Sequence, residues 1–441
     1  MKRLLIPLLL LLGAAVLFAG GQKEASEKVY ELILVDTGSS PWDNLAGYDV
    51  DTGGFPSFQD KLNAEFLQTH PNVELVYIHR DVTQGSMTVD ALMAKGTPPD
   101  VWLDAAGYFR NYMNDEYALR LEEYMDLSVY QEDLVAPYTR DGHVYALPMS
   151  NVATGLAINV DMLKAIGYTL PPQEEWTTDE FLRLCEQLKA AGYPGTMIMT
   201  KQGLISWNMI WLYAFGAELY QNQDYSKVTI NTPEAVKGLE YMKLLVDRGY
   251  TPPFPNEVDD DMAVELFTTG KVFSCLMQNG HTDYWIPEQV KQGGLDEVFE
   301  YTFVHVPHGP GVDFTPVYGY QTCVIAHRSE DEAKNALVVE LFKTRVGPEY
   351  QRYVTMLQGG FPTLKDFEIP NMGTAAKRSY QAIAKLAPEA GIMDLGGMHP
   401  RAREVSDAWK IPIQEFMEGT ISAQEVLDRF EAEANKILAM K

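Results

Sequence analysis

Apolar positions along the chain alternate between short, nearly continuous runs and longer stretches with helical spacing. The first run, Tyr30–Val35, is apolar at almost every position, which is typical of a buried parallel strand. A helical stretch at 60–68, a second run at 73–78, a helix at 89–94 and a third run at 100–103 follow in order. This alternation predicts a β-α-β-α-β unit, and therefore an open α/β sheet with right-handed crossovers.

The middle of the chain begins with two short predicted strands, 141–148 and 155–159, and becomes largely helical after Thr177. Thr178 is the predicted N-cap of the first long helix, because Asp179 and Glu180 fall in its first turn. The remaining predicted elements are helices at 160–166, 179–191, 204–215, 233–247, 262–269 and 330–343, strands at 272–277, 301–306 and 318–326, and a C-terminal helix that follows a capping box at Ser422.

The N-terminus has the pattern of a secretory signal peptide. Lys2 and Arg3 precede an apolar run over 4–18, which is shorter than the roughly 20 residues of a membrane span. We expect residues 1–19 to be removed and the mature protein to be periplasmic or secreted. Gly21 stands where a lipoprotein carries its modified cysteine, which excludes lipid attachment at that site.

The composition is strongly acidic, with 61 Asp and Glu against 35 Lys and Arg and a net charge of −26. Such an excess repels phosphate groups, so nucleic acid and anionic lipid surfaces are excluded as partners. The length predicts two or three structural units. The three cysteines lie in apolar surroundings without CxxC spacing, which predicts buried thiols rather than disulfides: Cys185, Cys275 and Cys323.

A set of motifs in a fixed order resembles one protein family. The segment Asp141–Pro148 reads DGHVYALP, Ile158-Asn159 ends an apolar strand, and Glu175-Trp176-Thr177 follows a Pro-Pro break. GTPPDV leads into the third strand, and Phe361-Pro362-Thr363 lies near the end. This order resembles the family 1 extracellular solute-binding proteins, the sugar-binding receptors of bacterial ABC importers, with Ile158 in place of the family's Tyr.

The resemblance implies a fold like that of type II periplasmic binding proteins, with two α/β lobes joined by a multi-strand hinge around a ligand cleft. It also implies a carbohydrate ligand, an inner-membrane ABC permease as partner and a monomer without cofactor. Lobe boundaries are expected at 28–147 plus 307–362 and at 148–304 plus 363–441. The chain is expected to cross between the lobes near 145–155, 304–318 and 362–370.

A receptor for neutral sugars needs aromatic faces that stack on the C–H faces of pyranose rings, and polar side chains that pair with hydroxyls. In α/β sheets such side chains lie beyond the carboxyl ends of strands. The candidate ligand-binding residues that meet this condition, or that the resemblance places at the cleft, are Trp42, Asp43, Asp104, Tyr108, Asn151, Trp207, Asn279, His281, Trp285, Tyr320 and Trp409.

Several of these candidates have a structural alternative. Asp104 also fits a helix N-cap, Asn151 could tie the hinge, and Trp409 fits a helix core equally well. Trp211, in an apolar helical stripe, is predicted as core, and Trp176 as structural. The family's Gly-x-Trp after the 272–277 strand is replaced here by Gly-His, with the Trp displaced to 285.

One acidic stretch partly matches a calcium loop, with Asp49, Asp51 and Asp60 at ligand spacing. Gly53 at the fifth position and an Asp at the last position depart from the pattern, so an ordinary acidic loop is the alternative. The run Asp259–Asp261 is predicted to be a solvated loop.

Two other classes of function compete with a sugar receptor. A secreted glycosidase needs two carboxylates held about 5–10 Å apart across the scissile bond, and no motif singles out such a pair. A binding protein for a polyamine or an iron complex is compatible with the acidic charge. The prediction is a binding protein and not an enzyme.

Overall fold

The computed structural model describes residues 28–36, 54, 57–79, 87–105, 109, 112–172, 174–201, 205–221, 224–252, 254–312, 316–358, 360–368, 374–386, 391–392, 399 and 401–440. The predicted signal peptide and the candidates Trp42, Asp43, Asp49, Asp51 and Tyr108 lie outside these residues. At three further candidates, Asn279, His281 and Tyr320, only the backbone is described.

The strands of the described part are β1 (Tyr30–Asp36), β2 (Val73–His79), β3 (Val101–Ala105), β4 (Thr139–Arg140), β5 (His143–Val144), β6 (Ala146–Asn159), β7 (Ser274–Gln278), β8 (Tyr301–Val304), β9 (Pro316–Ala326) and β10 (Gly391–Ile392). The helices are α1 (Phe58–Thr69), α2 (Met87–Ala94), α3 (Glu132–Val135), α4 (Val160–Ala165), α5 (Thr178–Ala190), α6 (Ile205–Tyr213), α7 (Pro233–Asp247), α8 (Asp260–Thr268), α9 (Asn279–Lys291), α10 (Glu332–Val346), α11 (Pro348–Gln358), α12 (Thr374–Leu386), α13 (Ala402–Glu418) and α14 (Ala423–Leu438).

The predicted β-α-β-α-β unit is confirmed. β1 pairs in parallel with β2 and with β3, and the main path of the sheet runs β2-β1-β3-β9-β6-β7. β9 is antiparallel to β3 and to β6, and β8 pairs with β6 as well. Every strand that follows β3 on this path is thus antiparallel to its neighbour.

The prediction of two separate strands at 141–148 and 155–159 is wrong. The structure has a small β4–β5 hairpin followed by the single 14-residue strand β6. Its first part, Ala146–Thr154, pairs with β9, and its last part pairs with β7 and β8. The residues between the two predicted strands include the polar side chains Ser150, Asn151 and Thr154, which lie between the parts of β6 that pack into these cores.

Side chains of β6 pack into different cores along its length. Leu147 and Met149 belong to a core with β1, β3, α1, α10 and α11. Leu156 and Ile158 belong to a core with α5, α6, α7, α13 and α14. One strand therefore supplies both lobes, and the three cysteines are buried and free, as predicted.

Helix caps explain where several helices begin. At α5 the Thr177 side chain accepts from the Glu180 N–H and Glu180 accepts from the Thr177 N–H, a complete capping box. The predicted cap at Thr178 is therefore wrong by one residue. The box predicted at Ser422 is confirmed, with Glu425 as its partner.

The prediction of a solvated loop at Asp259–Asp261 is also wrong. Asp259 is the N-cap of α8 and accepts from the Met262 N–H, so Asp260 and Asp261 lie in the first turn. Burial, with the neighbouring charges of Asp261 and Asp259, raises the pKa of Asp260 to about 7. A carboxyl in this position favours its neutral form.

Replacing Asp260 by asparagine should remove a pH dependence of stability. Because the pKa of Asp260 is near 7 in the folded state and about 4 when unfolded, the folded state alone holds the proton between these values. The free energy of unfolding of the native protein should therefore fall as pH rises from about 4 to 7. At pH 8 the free energy of unfolding of Asp260→Asn should exceed that of the native protein by about 2 kcal/mol. This is less than the full pKa shift would give, because Asp260 keeps some solvent contact.

Urea denaturation at pH 4, 6 and 8 measures this effect. Glu265→Gln, at an exposed position of α8, is the matched control and should follow the native protein at each pH. Equal pH profiles for Asp260→Asn and the native protein would contradict the raised pKa.

Candidate functional site at the strand crossing

Three chain segments lie side by side where β6 passes between the lobes: β6, β9 and residues 360–364. We call this place the strand crossing. The Asn151 N–H donates to the Phe361 carbonyl (3.1 Å), and the Phe361 N–H donates to the Asn151 carbonyl (2.7 Å). On its other edge Asn151 pairs with Gln321 of β9. The lobes are thus joined at one place by three adjacent backbone segments.

Helices from both halves flank the strand crossing. α9 begins directly after β7 and lies against α11 and α12. α11 is part of the first lobe, because Tyr350, Tyr353 and Val354 pack into its core. Because α9 starts at Asn279, the candidates that follow β7 lie on a helix.

Aromatic side chains lie around the strand crossing. Trp207 on α6 is partly buried and packs against two cores, one on each face of β6. Trp285 on α9 is partly exposed, next to the buried Ile286. The rings of Phe361 and Tyr380 are 5.2 Å apart between centroids, and burial raises the pKa of Tyr380. Stacking surfaces and backbone polar groups therefore occur together here.

Among the sequence-predicted candidates with described side chains, Asn151 lies at the strand crossing, and Trp207 and Trp285 lie on α6 and α9, helices that contact β9 and β6. Asn151 is half-buried, and its side chain makes no hydrogen bond to the described residues. Tyr320 of β9 pairs with Val152 of β6, the residue after Asn151. Asn279 and His281 lie in the first turn of α9. Their ligand roles stay predictions.

Asp104 lies within β3 and is 3% exposed. Its carboxylate accepts a hydrogen bond from the Trp102 indole N–H (3.1 Å), which gives it a structural partner inside the lobe. The alternative of a helix N-cap does not hold, because the residue is in the strand. A ligand role for Asp104 stays a prediction.

The prediction that Trp409 contacts ligand is wrong. The side chain is 0% exposed, and its indole N–H donates to Asn208 Oδ1 (3.0 Å) inside the second lobe. Its ring meets Phe430 edge to face at 5.0 Å between centroids. The core alternative is the one observed, and Trp211 and Trp176 are buried as predicted.

The calcium loop has one described residue, Asp60. It lies in the first turn of α1, where its carboxylate accepts from the Ser57 hydroxyl (2.8 Å) at the helix cap. Within the described ranges no group of three or more metal-ligating side chains occurs. Asp60 therefore has a role in capping that needs no ion.

The aromatic pair Phe361 and Tyr380 was not predicted as part of the site. The sequence indicates Phe361 only as part of a late motif, and it does not predict α12, which carries Tyr380. The signal that could have found Phe361 is its place beside the third expected crossing. Tyr380 had no such signal, since only the folded chain brings α12 to this position.

Two α/β lobes, joined by three adjacent segments with aromatic side chains around the junction, define a two-lobed ligand-binding protein of the type II class. The family model described as bacterial extracellular solute-binding protein matches residues 61–378. The chain belongs to this family. No helix in the described part of the chain is long and apolar enough to cross a membrane.

Relatives and solved structures cover most of the chain. A protein of Brucella abortus (strain 2308) named as a binding protein is 23% identical over 407 residues, covering 89% of this chain and 92% of the relative. The GacH receptor of Streptomyces glaucescens, solved unliganded and with acarbose, has a TM-score of 0.74 at 16% identity, over 93% of this chain and 99% of that one. A chitin oligosaccharide binding protein has a TM-score of 0.74 at 19% identity, over 93% and 100%. These likenesses show the fold.

Proposed function

We propose that this protein captures a carbohydrate, an oligosaccharide, between its two lobes and delivers it to an inner-membrane ABC permease. The observation that carries the proposal is the group of part-exposed aromatic side chains at the strand crossing, Trp207, Trp285 and Phe361. Aromatic faces of this kind suit pyranose rings. Solved structures of the same fold that bind acarbose or chitin oligosaccharide support the choice of ligand.

Closure about the strand crossing is the proposed mechanism. A ligand that touches both lobes favours the closed form only by its extra affinity for that form. A dissociation constant near micromolar, about −8 kcal/mol, suits a receptor that must release its cargo to a permease. The resemblance to the extracellular solute-binding proteins, which suggests the permease, also suggests that the protein is a monomer and needs no cofactor.

The proposed compartment is outside the cytoplasm, reached through cleavage after residues 1–19 and without lipid at Gly21. Binding without chemistry is part of the proposal, since the family and the solved neighbours are binding proteins. A polyamine or an iron complex is the alternative cargo, suggested by the net charge of −26. The described aromatic and amide groups at the strand crossing are neutral. They therefore favour a neutral sugar over a polyamine or an iron complex.

Titration of the mature protein with a fixed panel tests the proposal. Tryptophan fluorescence should shift saturably with maltotriose or chitotriose, and not with spermidine or ferric citrate. Chromatography of each mixture after a day should return the sugar intact. Saturable binding of spermidine or ferric citrate alone would contradict the sugar ligand, and shortened oligosaccharide would contradict the absence of catalysis.

A further inference from the structure

A buried amide on α11 holds the third segment of the strand crossing. Gln351 is 1% exposed, and its Oε1 accepts from the backbone N–H groups of Thr363 (2.9 Å) and Leu364 (3.3 Å). Its Nε2 donates to the Thr363 hydroxyl (2.8 Å) and to the Val346 carbonyl (3.0 Å). Both donors and both acceptor positions of the amide are therefore used.

The network continues to the first segment of the strand crossing. The Thr363 hydroxyl, in a residue that is 0% exposed, donates to the Pro148 carbonyl on β6 (2.8 Å). Pro148 stands at the irregularity in the pairing of β6 with β9. α11, the third segment and β6 are thus connected through one side chain at each step.

A second residue of the first half holds the same segment from another direction. The Gln131 N–H donates to the Thr363 carbonyl (2.8 Å), and Gln131 Nε2 donates to the Pro362 carbonyl (2.9 Å). The expected lobe boundary places Thr363 in the second lobe. Its backbone and hydroxyl groups are bonded to Gln131 and Gln351, which belong to the expected first lobe, and to Pro148 on β6.

Phe361, two residues before Thr363, has a different set of contacts. Phe361 is joined to Asn151 by its backbone and lies against Tyr380 of α12 by its ring. The neighbouring Gly360 is close to β6, where an added Cβ would be 3.1 Å from the Ser150 Cβ. A segment anchored at Pro362 and Thr363 and held mainly by one backbone pair at Phe361 bends most easily at Phe361.

We infer that Gln351 is a positioning residue for lobe closure, which fixes residues 362–364 to the first lobe so that bending occurs at Asn151 and Phe361. The inference rests on the proposed closure mechanism. Without the amide, the third segment can move with either lobe, and the relative orientation of the lobes becomes less defined.

The test measures the distance between the lobes in the ligand-free mature protein. Spin labels are placed at two exposed positions, Glu74→Cys on β2 and Glu240→Cys on α7. The native thiols are buried and free, and burial raises their pKa, so labelling should be confined to the introduced residues. Amide hydrogen exchange at Phe361, Thr363 and Leu364 is followed in parallel.

Gln351→Met, which keeps the length of the side chain, is expected to broaden the distance distribution. Exchange at Thr363 should become at least about tenfold faster, since its buried N–H loses its acceptor. The matched control is Asn335→Leu on α10, because Asn335 is a buried amide that also bonds backbone groups, those of Ser329 (2.8 and 3.0 Å). Asn335→Leu should lower the free energy of unfolding without changing the distance distribution between the spin labels.

An unchanged distance distribution and unchanged Thr363 exchange in folded Gln351→Met would overturn the inference. Equal broadening in Asn335→Leu would overturn it as well, since a general loss of stability would then explain the result. If Gln351→Met does not fold, Thr363→Val removes the hydroxyl alone and should give the same broadening. Failure of the sugar panel leaves these measurements intact, because they need no ligand.

Discussion

Trp409→Ala is expected to lower the free energy of unfolding by about 3–5 kcal/mol, the range for deleting a large buried aromatic side chain. The substitution opens a cavity beside Phe430 and leaves Asn208 Oδ1 without the indole N–H. Asn208 itself is buried and donates to the Met199 carbonyl (3.0 Å), so the loss also loosens that segment. Urea denaturation followed by circular dichroism measures the effect.

Trp409→Phe is the control, since it keeps most of the packing and loses only the indole hydrogen bond. Trp409→Phe should lower the free energy of unfolding by about 1–3 kcal/mol. Weaker sugar binding by Trp409→Ala without any loss of stability would show that Trp409 contacts ligand after all.

Trp285→Ala is expected to weaken sugar binding at least tenfold, equivalent to about 1.4 kcal/mol. Trp285 is partly exposed on α9, which lies against α11 of the other lobe, so its ring can contact a ligand between them. Removing a part-exposed side chain leaves a smaller cavity, and the free energy of unfolding should change by less than about 2 kcal/mol. Calorimetric titration with the tightest-binding sugar of the panel gives the affinity.

Trp285→Phe should keep most of the affinity, because an aromatic face remains for stacking. Trp211→Ala is a second control, since Trp211 is a core residue of α6 and its loss should reduce stability first. Undiminished affinity in Trp285→Ala, with sugar binding established in the native protein, would remove this residue from the site.

Trp211 and Trp409 show how far a local sequence pattern can predict whether a tryptophan is buried in the core or contacts ligand. Trp211 lies in an apolar helical stripe, and its burial follows from that spacing. Trp409 lies on an amphipathic helix whose pattern places it on one face but does not say whether that face meets ligand or core. Its partners, Asn208 and Phe430, come from α6 and α14, and only the folded chain brings these helices together.

Helix caps and strand ends also differ in how well the sequence predicts them. The boxes that start α5 and α14 involve residues three apart, so they could be found from sequence to within one position. The polar residues Ser150, Asn151 and Thr154 on β6 resemble a break between strands when alternation is judged within a short window. The pairing partners that keep β6 continuous lie far along the chain on β9 and at Phe361.

The sequence by itself determined the alternation of helices and strands, the two-lobed α/β class, the burial of the three cysteines and the family. These properties depend on periodicity, capping and motif order, which are local or additive along the chain. The tertiary structure alone decided that Trp409 is core, that burial raises the pKa of Asp260, and that Gln351 holds Thr363. Each of these depends on groups distant in sequence that meet only when the chain folds, and burial then sets their hydrogen bonds and pKa.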